Sequence, residues 1–143
     1  MAFAAALLVV GGCGGSRNPI AYTDITTRLH PVEFPRVVRQ AFLSRSDFAR
    51  YLRRTMPGSK PRIPPIDWRR REAVLVAAGP RSSTGYVLHV VGVHETGGRL
   101  VVTVRERTPS LGEPVEARVT YPFRLITVPR TSKRLLLHWE GRP

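Results

Sequence analysis

The stretch that most constrains this chain runs from Arg71 to Arg107. It holds three apolar runs rich in valine and leucine, at Ala73–Ala78, Tyr86–Val93 and Leu100–Val104, and turn-forming residues bound each of them. Short runs of this kind, flanked by glycine and proline, are typical of buried strands. The pair Gly97-Gly98 tolerates the positive φ that a tight hairpin turn requires. We therefore expect the three strands to form the middle of an antiparallel sheet.

The remaining elements are short strands and one helix. Ser46–Met56 has apolar residues at helical spacing, Ser44 or Ser46 can cap its start, and Pro57-Gly58 ends it. Further strands are predicted at Tyr22–Leu29, Arg36–Phe42, Val115–Thr120, Phe123–Val128 and Leu135–Trp139. Because the chain has only this one predicted helix and loops join the other strands, a doubly wound parallel sheet is excluded. The pattern favours a mainly β fold, an antiparallel β-sandwich or partly open barrel with one amphipathic helix in its N-terminal half.

The first thirteen residues predict an extracytoplasmic location. Residues 1–12 are apolar and uncharged, too short for a membrane-spanning helix but suited to the core of a signal peptide. Val10-Gly11-Gly12-Cys13 resembles the bacterial lipobox, which implies that Cys13 becomes the lipidated first residue of the mature protein. Signal peptides normally begin with positive charge, and no lysine or arginine precedes this run, so we expect the true start to lie upstream of Met1.

These features divide the chain into three parts. Residues 1–13 are predicted to be a lipoprotein signal peptide, 14–35 a linker with a possible edge strand, and 36–139 a single β-rich domain. The net charge of +13 favours anionic partners such as nucleic acid, anionic lipid or acidic polysaccharide. The arginines are spread along the chain, without the spacing of a zinc finger or another nucleic-acid motif. We therefore expect no nucleic-acid partner.

The central strands also resemble a known family. The matching features are the strand AVLVAAG, the loop from Gly79 to Tyr86, the segment VLHVVGVHETGGRLVVTVRERTP and the later Val119–Pro129. Together they resemble the C-terminal domain of protease-complex-stabilising lipoproteins of the PrcB type. The resemblance implies a non-catalytic lipoprotein, anchored through Cys13 in the bacterial cell envelope, that supports or stabilises a complex containing a protease.

Residue patterns typical of enzymes are missing from the sequence. His89 and His94 are five residues apart on one strand, so we expect them on opposite faces and not on one metal ion. No Gly-x-Ser-x-Gly motif and no phosphate-binding glycine loop is present, and the carboxylates are few and separated by prolines. The sequence therefore predicts no enzyme, no cofactor and no metal site.

One loop is the best candidate for a binding surface. Arg81, Ser82, Ser83, Thr84, Gly85 and Tyr86 combine a guanidinium group, small polar residues and an aromatic ring. This loop also resembles the Thr-Gly-Tyr-type loop of chagasin-like cysteine-protease inhibitors. The resemblance implies a β-sandwich protease inhibitor, and in this chain the inhibitory loops would be Gly79–Tyr86 and Thr108–Pro114. A third hypothesis is a structural protein of the cell envelope whose arginine surface holds anionic polymer or lipid.

Overall fold

The fold is described from a computed structural model, which places residues 17–141. These residues form eight strands and one α-helix, with a short 3-10 helix at Thr26–Arg28. In chain order the elements are β1 (Asn18–Pro19), β2 (Thr23–Asp24), β3 (Val37–Phe42), α1 (Arg45–Thr55), β4 (Arg71–Ala78), β5 (Val87–Thr96), β6 (Arg99–Arg107), β7 (Phe123–Pro129) and β8 (Arg134–Glu140). None of the described helices has the length and apolar character needed to cross a membrane.

The strands form the two sheets of a β-sandwich, as the sequence predicts. One sheet has the order β1-β5-β6-β8 and the other the order β2-β7-β4-β3. The expectation that β4, β5 and β6 share one sheet is wrong, because the chain changes sheets in the loop between β4 and β5. That loop bonds to residues 116–120 and makes no tight turn, so β4 and β5 do not become hairpin partners.

The turn between β5 and β6 is confirmed as a tight hairpin. Gly97 and Gly98 have φ values of 53° and 72°, a conformation that glycine adopts without steric cost. The two strands pair in register from Thr96 opposite Arg99 to Val87 opposite Arg107, with one irregularity after Val90.

Strand β4 is buried on both faces, which explains its uninterrupted apolar run. Val74 and Val76 pack between the two sheets, whereas Leu75 points to the opposite side of its sheet. On that side α1 covers the sheet with Phe48 and Leu52. The sandwich therefore has two apolar cores, one between the sheets and one beneath the helix.

Of the two serines that the sequence offers as the cap of helix α1, Ser44 is the N-cap. The Ser44 side chain accepts a hydrogen bond of 3.1 Å from the backbone N–H of Asp47, and Asp47 also places negative charge in the first turn. The helix starts at Arg45, one residue before the predicted start at Ser46, and its last residue is Thr55, one residue before the predicted end at Met56.

Two details of strand pairing differ from the expectation. Val115–Thr120 is not a strand: its backbone bonds to the β4–β5 loop at Thr84 and Arg81, and Val115 and Val119 are exposed. Alternating residues lead to a strand only where a sheet edge is free to pair, and here the neighbouring chain is a loop. The last strand, β8, pairs with β6 in parallel, so the first sheet is mixed.

Residues upstream of β3 also belong to the packed structure. Strands β1 and β2 lie at one edge of each sheet. Ile25, Leu29 and Phe34 are buried in the core beneath the helix.

The sandwich has two ends that differ in composition. The loop end consists of residues 79–86 and 108–122, which connect β4 to β5 and β6 to β7. The hairpin end consists of the turns 97–98 and 130–133, together with the segments 43–45 and 67–70 that adjoin β3, α1 and β4. Asn18 pairs with Glu95 near the hairpin turn, so the chain enters the domain at the hairpin end.

Candidate functional site

The loop end is organised around an ion pair that is almost out of contact with water. Arg81 donates through two nitrogens to the two carboxylate oxygens of Glu106, with Nη2 lying 2.8 Å from Oε2. The side chains of Arg81 and Glu106 are only 16% and 5% exposed. The guanidinium group also lies 6.0 Å from the centre of the Tyr86 ring. The Arg81 guanidinium group is therefore used in contacts within the protein, and its bonds to Glu106 attach the loop to β6.

The rest of the loop bonds to the connection between β6 and β7. The backbone of Arg81 exchanges two hydrogen bonds with that of Thr120, at 2.8 and 2.9 Å. The Thr120 hydroxyl donates to the carbonyl oxygen of Ser83 at 2.7 Å, and Thr84 and Glu116 also exchange two bonds. The loop 79–86 is thus bonded to the connection 108–122, which contains the second loop of the inhibitor hypothesis.

Close packing at Gly85 fixes the two loops together. A Cβ atom at this position would lie 2.5 Å from the Pro109 Cβ and 2.7 Å from the Val115 Cγ1, too near for any side chain. Gly85 and Ser83 are buried, whereas Ser82 is exposed at the tip of the loop. Of the six predicted binding residues, Ser82 is therefore the one with full access to a partner.

Apolar side chains are also exposed at this end of the sandwich. Of the eight large hydrophobic residues that the described chain exposes, Leu111, Val115 and Val119 lie at the loop end, and Val37 adjoins it at the start of β3. A depression of about 240 Å³ where the loops meet β5 and β7 is lined by Tyr86, Tyr121 and Phe123 among others. Exposed apolar groups next to aromatic rings are characteristic of protein-binding surfaces.

Three arginines of the loop end are paired with acidic residues. Arg107 donates to both carboxylate oxygens of Glu113, at 2.8 and 2.9 Å, and Arg118 pairs with Glu116 at 2.8 Å. The hydrogen bonds from Arg107 and from the backbone N–H of Ser110 lower the pKa of Glu113. Together with Arg81 and Glu106, these residues make a surface of nearly balanced charge.

Charges at the hairpin end are mostly unpaired. Five exposed arginines there form no ion pair among residues 17–141: Arg17, Arg45, Arg69, Arg99 and Arg134. Lys133 pairs with Glu95, and Arg70 lies 3.9 Å from Asp67. Burial raises the pKa of Glu72, which accepts a hydrogen bond of 3.2 Å from the Thr131 N–H. The hairpin end is therefore strongly basic.

The histidines lie differently from the expectation. Val91 is the extra residue of a β-bulge, since Val90 pairs with Val104 but Gly92 pairs with Thr103. The bulge puts His89 and His94 on the same outer face, so the expectation of opposite faces is wrong. Their partners on β6 are four residues apart, so the histidines are separated by roughly 13 Å along the sheet. In the described part of the chain, no group of three or more acidic, histidine or cysteine residues is arranged to hold a metal ion.

Two residues complete the comparison with the sequence-based sites. Cys13 lies outside the described residues, so its lipidation stays a prediction. Glu106, the partner of Arg81, was not predicted as part of the site. The sequence does contain a pattern that identifies it, because Glu106 continues the inward-facing series Leu100, Val102, Val104 on β6. A carboxylate on a buried face requires a partner, which here is Arg81.

The fold and the loop end define a β-sandwich domain with a rigid, partly apolar surface at one end. Residues 73–129 match the family model described as PrcB C-terminal. This match agrees with the resemblance seen in the sequence. The matched segment runs from β4 to β7 and contains both connections of the loop end. Searches of curated proteins and of solved structures found no match.

Proposed function

We propose that this protein is a non-catalytic, lipid-anchored binding module that supports an extracytoplasmic complex containing a protease. The observation that carries the proposal is the family match over residues 73–129, because this segment includes the whole of the loop end. Bacterial cell-envelope location and anchoring through Cys13 are parts of the same proposal and derive from the lipobox-like sequence.

The loop end has the properties that a protein partner requires. Leu111, Val115 and Val119 offer apolar area, and binding would remove that area from water. The ion pair between Arg81 and Glu106 holds the loop in one conformation, so little conformational entropy is lost on binding. The proposed partner therefore contacts Ser82 and the apolar residues around it.

Site-specific cross-linking tests where the partner binds. A photo-crosslinking amino acid is placed at Ser82, and the matched control carries it at Ser132, an exposed serine in the β7–β8 turn of the hairpin end. Cells producing either variant are irradiated, and the adducts are identified by mass spectrometry. We expect an adduct containing a protease subunit from position 82 and none from position 132. Equal adducts from both positions, or none from position 82, would contradict the proposal.

The lipid anchor has a separate test. The chain is expressed in a bacterial host from an upstream start, as wild type and as Cys13→Ala. We expect the wild type to gain the mass of a diacylated or triacylated cysteine and to fractionate with membranes, and the variant to do neither. An unmodified wild type that retains Met1 would rule the anchor out.

A second candidate function is inhibition of a cysteine protease. It is favoured by one observation, the junction of 79–86 with 108–114 at the same end of the sandwich, held by the contact of Gly85 with Pro109. Titration of the protein against a papain-type protease distinguishes the two. If the wild type causes a stoichiometric loss of protease activity and Ser82→Trp does not, the result supports inhibition. If the wild type leaves protease activity unchanged, the result supports the binding module.

A further inference from the structure

The hairpin end collects cations from five separate segments of the chain. Arg17 precedes β1, Arg45 opens α1, Arg69 precedes β4, and Arg99 and Arg134 open β6 and β8. Arg99 and Arg134 are direct neighbours on the two parallel strands, so their like charges lie side by side. Unpaired like charges repel one another, and an anionic partner would relieve that repulsion.

An exposed leucine lies among these cations. Leu43 connects β3 to α1, and 45% of its surface is exposed. The Arg130 guanidinium donates to its carbonyl oxygen at 2.8 Å and to that of Trp68 at 2.6 Å, which fixes this segment against the β7–β8 turn. Cations around an exposed apolar side chain match the chemistry of a membrane interface, where headgroups are anionic and the layer beneath is apolar.

The path of the chain also places this end close to any anchor at Cys13. Asn18, which pairs with Glu95 beside the hairpin turn, follows Cys13 by five residues. An extended chain of that length reaches at most about 18 Å. A lipid on Cys13 would therefore bring the hairpin end, and not the loop end, to the membrane surface.

From these observations we propose that the hairpin end is a docking surface for an anionic phospholipid bilayer. The arginines bind lipid phosphates, Leu43 enters the interface, and the loop end points away from the membrane towards a partner. This proposal goes beyond the binding function, and it stands on described residues whether or not Cys13 is acylated.

Vesicle binding tests the proposal. The full chain carrying Cys13→Ser, which cannot be acylated, is mixed with vesicles of phosphatidylcholine alone or of equal parts phosphatidylcholine and phosphatidylglycerol. Sedimentation measures the bound fraction. We expect binding that requires phosphatidylglycerol and falls as salt rises, because exposed charges are screened. Binding to the neutral vesicles measures the contribution of the apolar residues 1–12 to membrane association. Every variant retains these residues, so this contribution is the same in all of them.

Matched variants locate the surface. Arg99→Ser with Arg134→Ser removes two cations from the hairpin end, and we expect binding to weaken roughly 30-fold. Arg36→Ser with Arg118→Ser removes the same charge near the loop end, and we expect less than about threefold weakening because these positions face away from the bilayer. Equal losses in the two double variants would show that net charge alone drives binding and would overturn the proposal.

A third variant separates a bilayer from a soluble polyanion. Leu43→Ser leaves the charge unchanged, and we expect it to weaken vesicle binding without affecting binding to polyglutamate. If Leu43→Ser leaves vesicle binding intact and polyglutamate displaces the protein fully, the partner is an anionic polymer and the bilayer assignment is wrong. Failure of phosphatidylglycerol-dependent binding would overturn this proposal while leaving the cross-linking result at Ser82 untouched.

Discussion

Both ends of the sandwich carry several arginines. Most of those at the loop end have a carboxylate partner, whereas most of those at the hairpin end have none among the described residues. At the loop end Arg81, Arg107 and Arg118 each have a carboxylate partner, and the surface between them is apolar. At the hairpin end Arg99 and Arg134 lie side by side without an acid. The comparison teaches that the arginines of this chain have two roles: three of them hold the loops through ion pairs, whereas those at the hairpin end leave their charge exposed.

Paired and unpaired charges have different physical consequences: the first make a loop rigid, and the second produce an electrostatic field. Paired and partly buried charges hold a loop in place but project little potential, because each field is cancelled nearby. Unpaired exposed charges add little to stability, yet their fields sum over the whole end. The loop end is thus suited to a specific protein contact, and the hairpin end to a diffuse anionic surface.

The largest effect is expected from breaking the buried ion pair at the loop end. Glu106→Ala leaves the Arg81 charge largely buried without its partner, so we expect the free energy of unfolding to fall by about 3 kcal/mol. At the hairpin end Glu95→Ala removes the partner of Lys133, which is more exposed, so the loss should stay below about 1 kcal/mol. Urea denaturation of the two variants measures the difference.

A double variant sharpens that result. Arg81→Met with Glu106→Leu replaces both charges by apolar groups, and we expect it to recover most of the lost stability. If Glu106→Ala and Glu95→Ala cost the same, the two ends do not differ in the way their ion pairs contribute.

The next effect concerns the packing that joins the two loops. Gly85→Ala places a methyl group 2.5 Å from the Pro109 Cβ, so the loops must separate, and we expect a loss of about 1–3 kcal/mol. Gly92→Ala is the matched control, because a Cβ there meets nothing within 4 Å. Thermal unfolding followed by circular dichroism compares them. A Gly85→Ala protein as stable as the Gly92→Ala control would show that the loop junction is not tightly packed.

These features differ in how far the sequence could predict them. Local patterns were sufficient for the β5–β6 hairpin at Gly97-Gly98, for α1 with its cap at Ser44, and for β4 as a buried strand. The change of sheets after Ala78 and the parallel pairing of β8 depend on which distant strand offers a free edge, and no local pattern encodes that choice.

The same limit applies to the site. The loop 79–86 was recognisable from its residue types, and its family resemblance rests on the same residues. Its partner Glu106 lies 25 residues further along the chain, so the use of the Arg81 fork depended on tertiary structure. The bulge at Val91 shifted the alternation of β5 by one residue, which is why the faces of His89 and His94 were predicted wrongly. The basic end is formed by arginines spread over more than a hundred positions and becomes visible only in the fold.

A smaller, pH-dependent effect separates the acids of the two ends. The pKa of Glu72 is raised above its ordinary value of 4.5 by burial at the hairpin end, so the folded state binds this proton more tightly than the unfolded state. Its contribution to stability therefore falls as the pH rises from 4.5 through the raised pKa. The pKa of Glu113 is lowered by Arg107, so its contribution is present above 4.5 and is lost as the pH falls through the lowered pKa.

Two glutamine variants test this difference in sign. We expect Glu72→Gln to flatten the fall in stability above pH 4.5, and Glu113→Gln to be less stable than wild type at neutral pH with a difference that disappears in acid. Urea denaturation across this pH range gives both slopes. Variants whose slopes change in the same direction would contradict the assignment of the two environments.

The smallest effect tests whether the hairpin end forgoes stability to keep its charge. Arg99 and Arg134 are paired across neighbouring strands, where like charges are unfavourable. We therefore expect Arg134→Glu to raise the free energy of unfolding by about 0.5 kcal/mol at low salt, with the gain shrinking as salt is added. Arg134→Gln, which removes the repulsion without adding an attraction, should gain about half as much. If Arg134→Glu is less stable than wild type, the two arginines do not repel, and the argument that an anionic partner relieves them loses its basis. A gain in stability combined with weaker vesicle binding would show that this end is maintained for binding and not for folding.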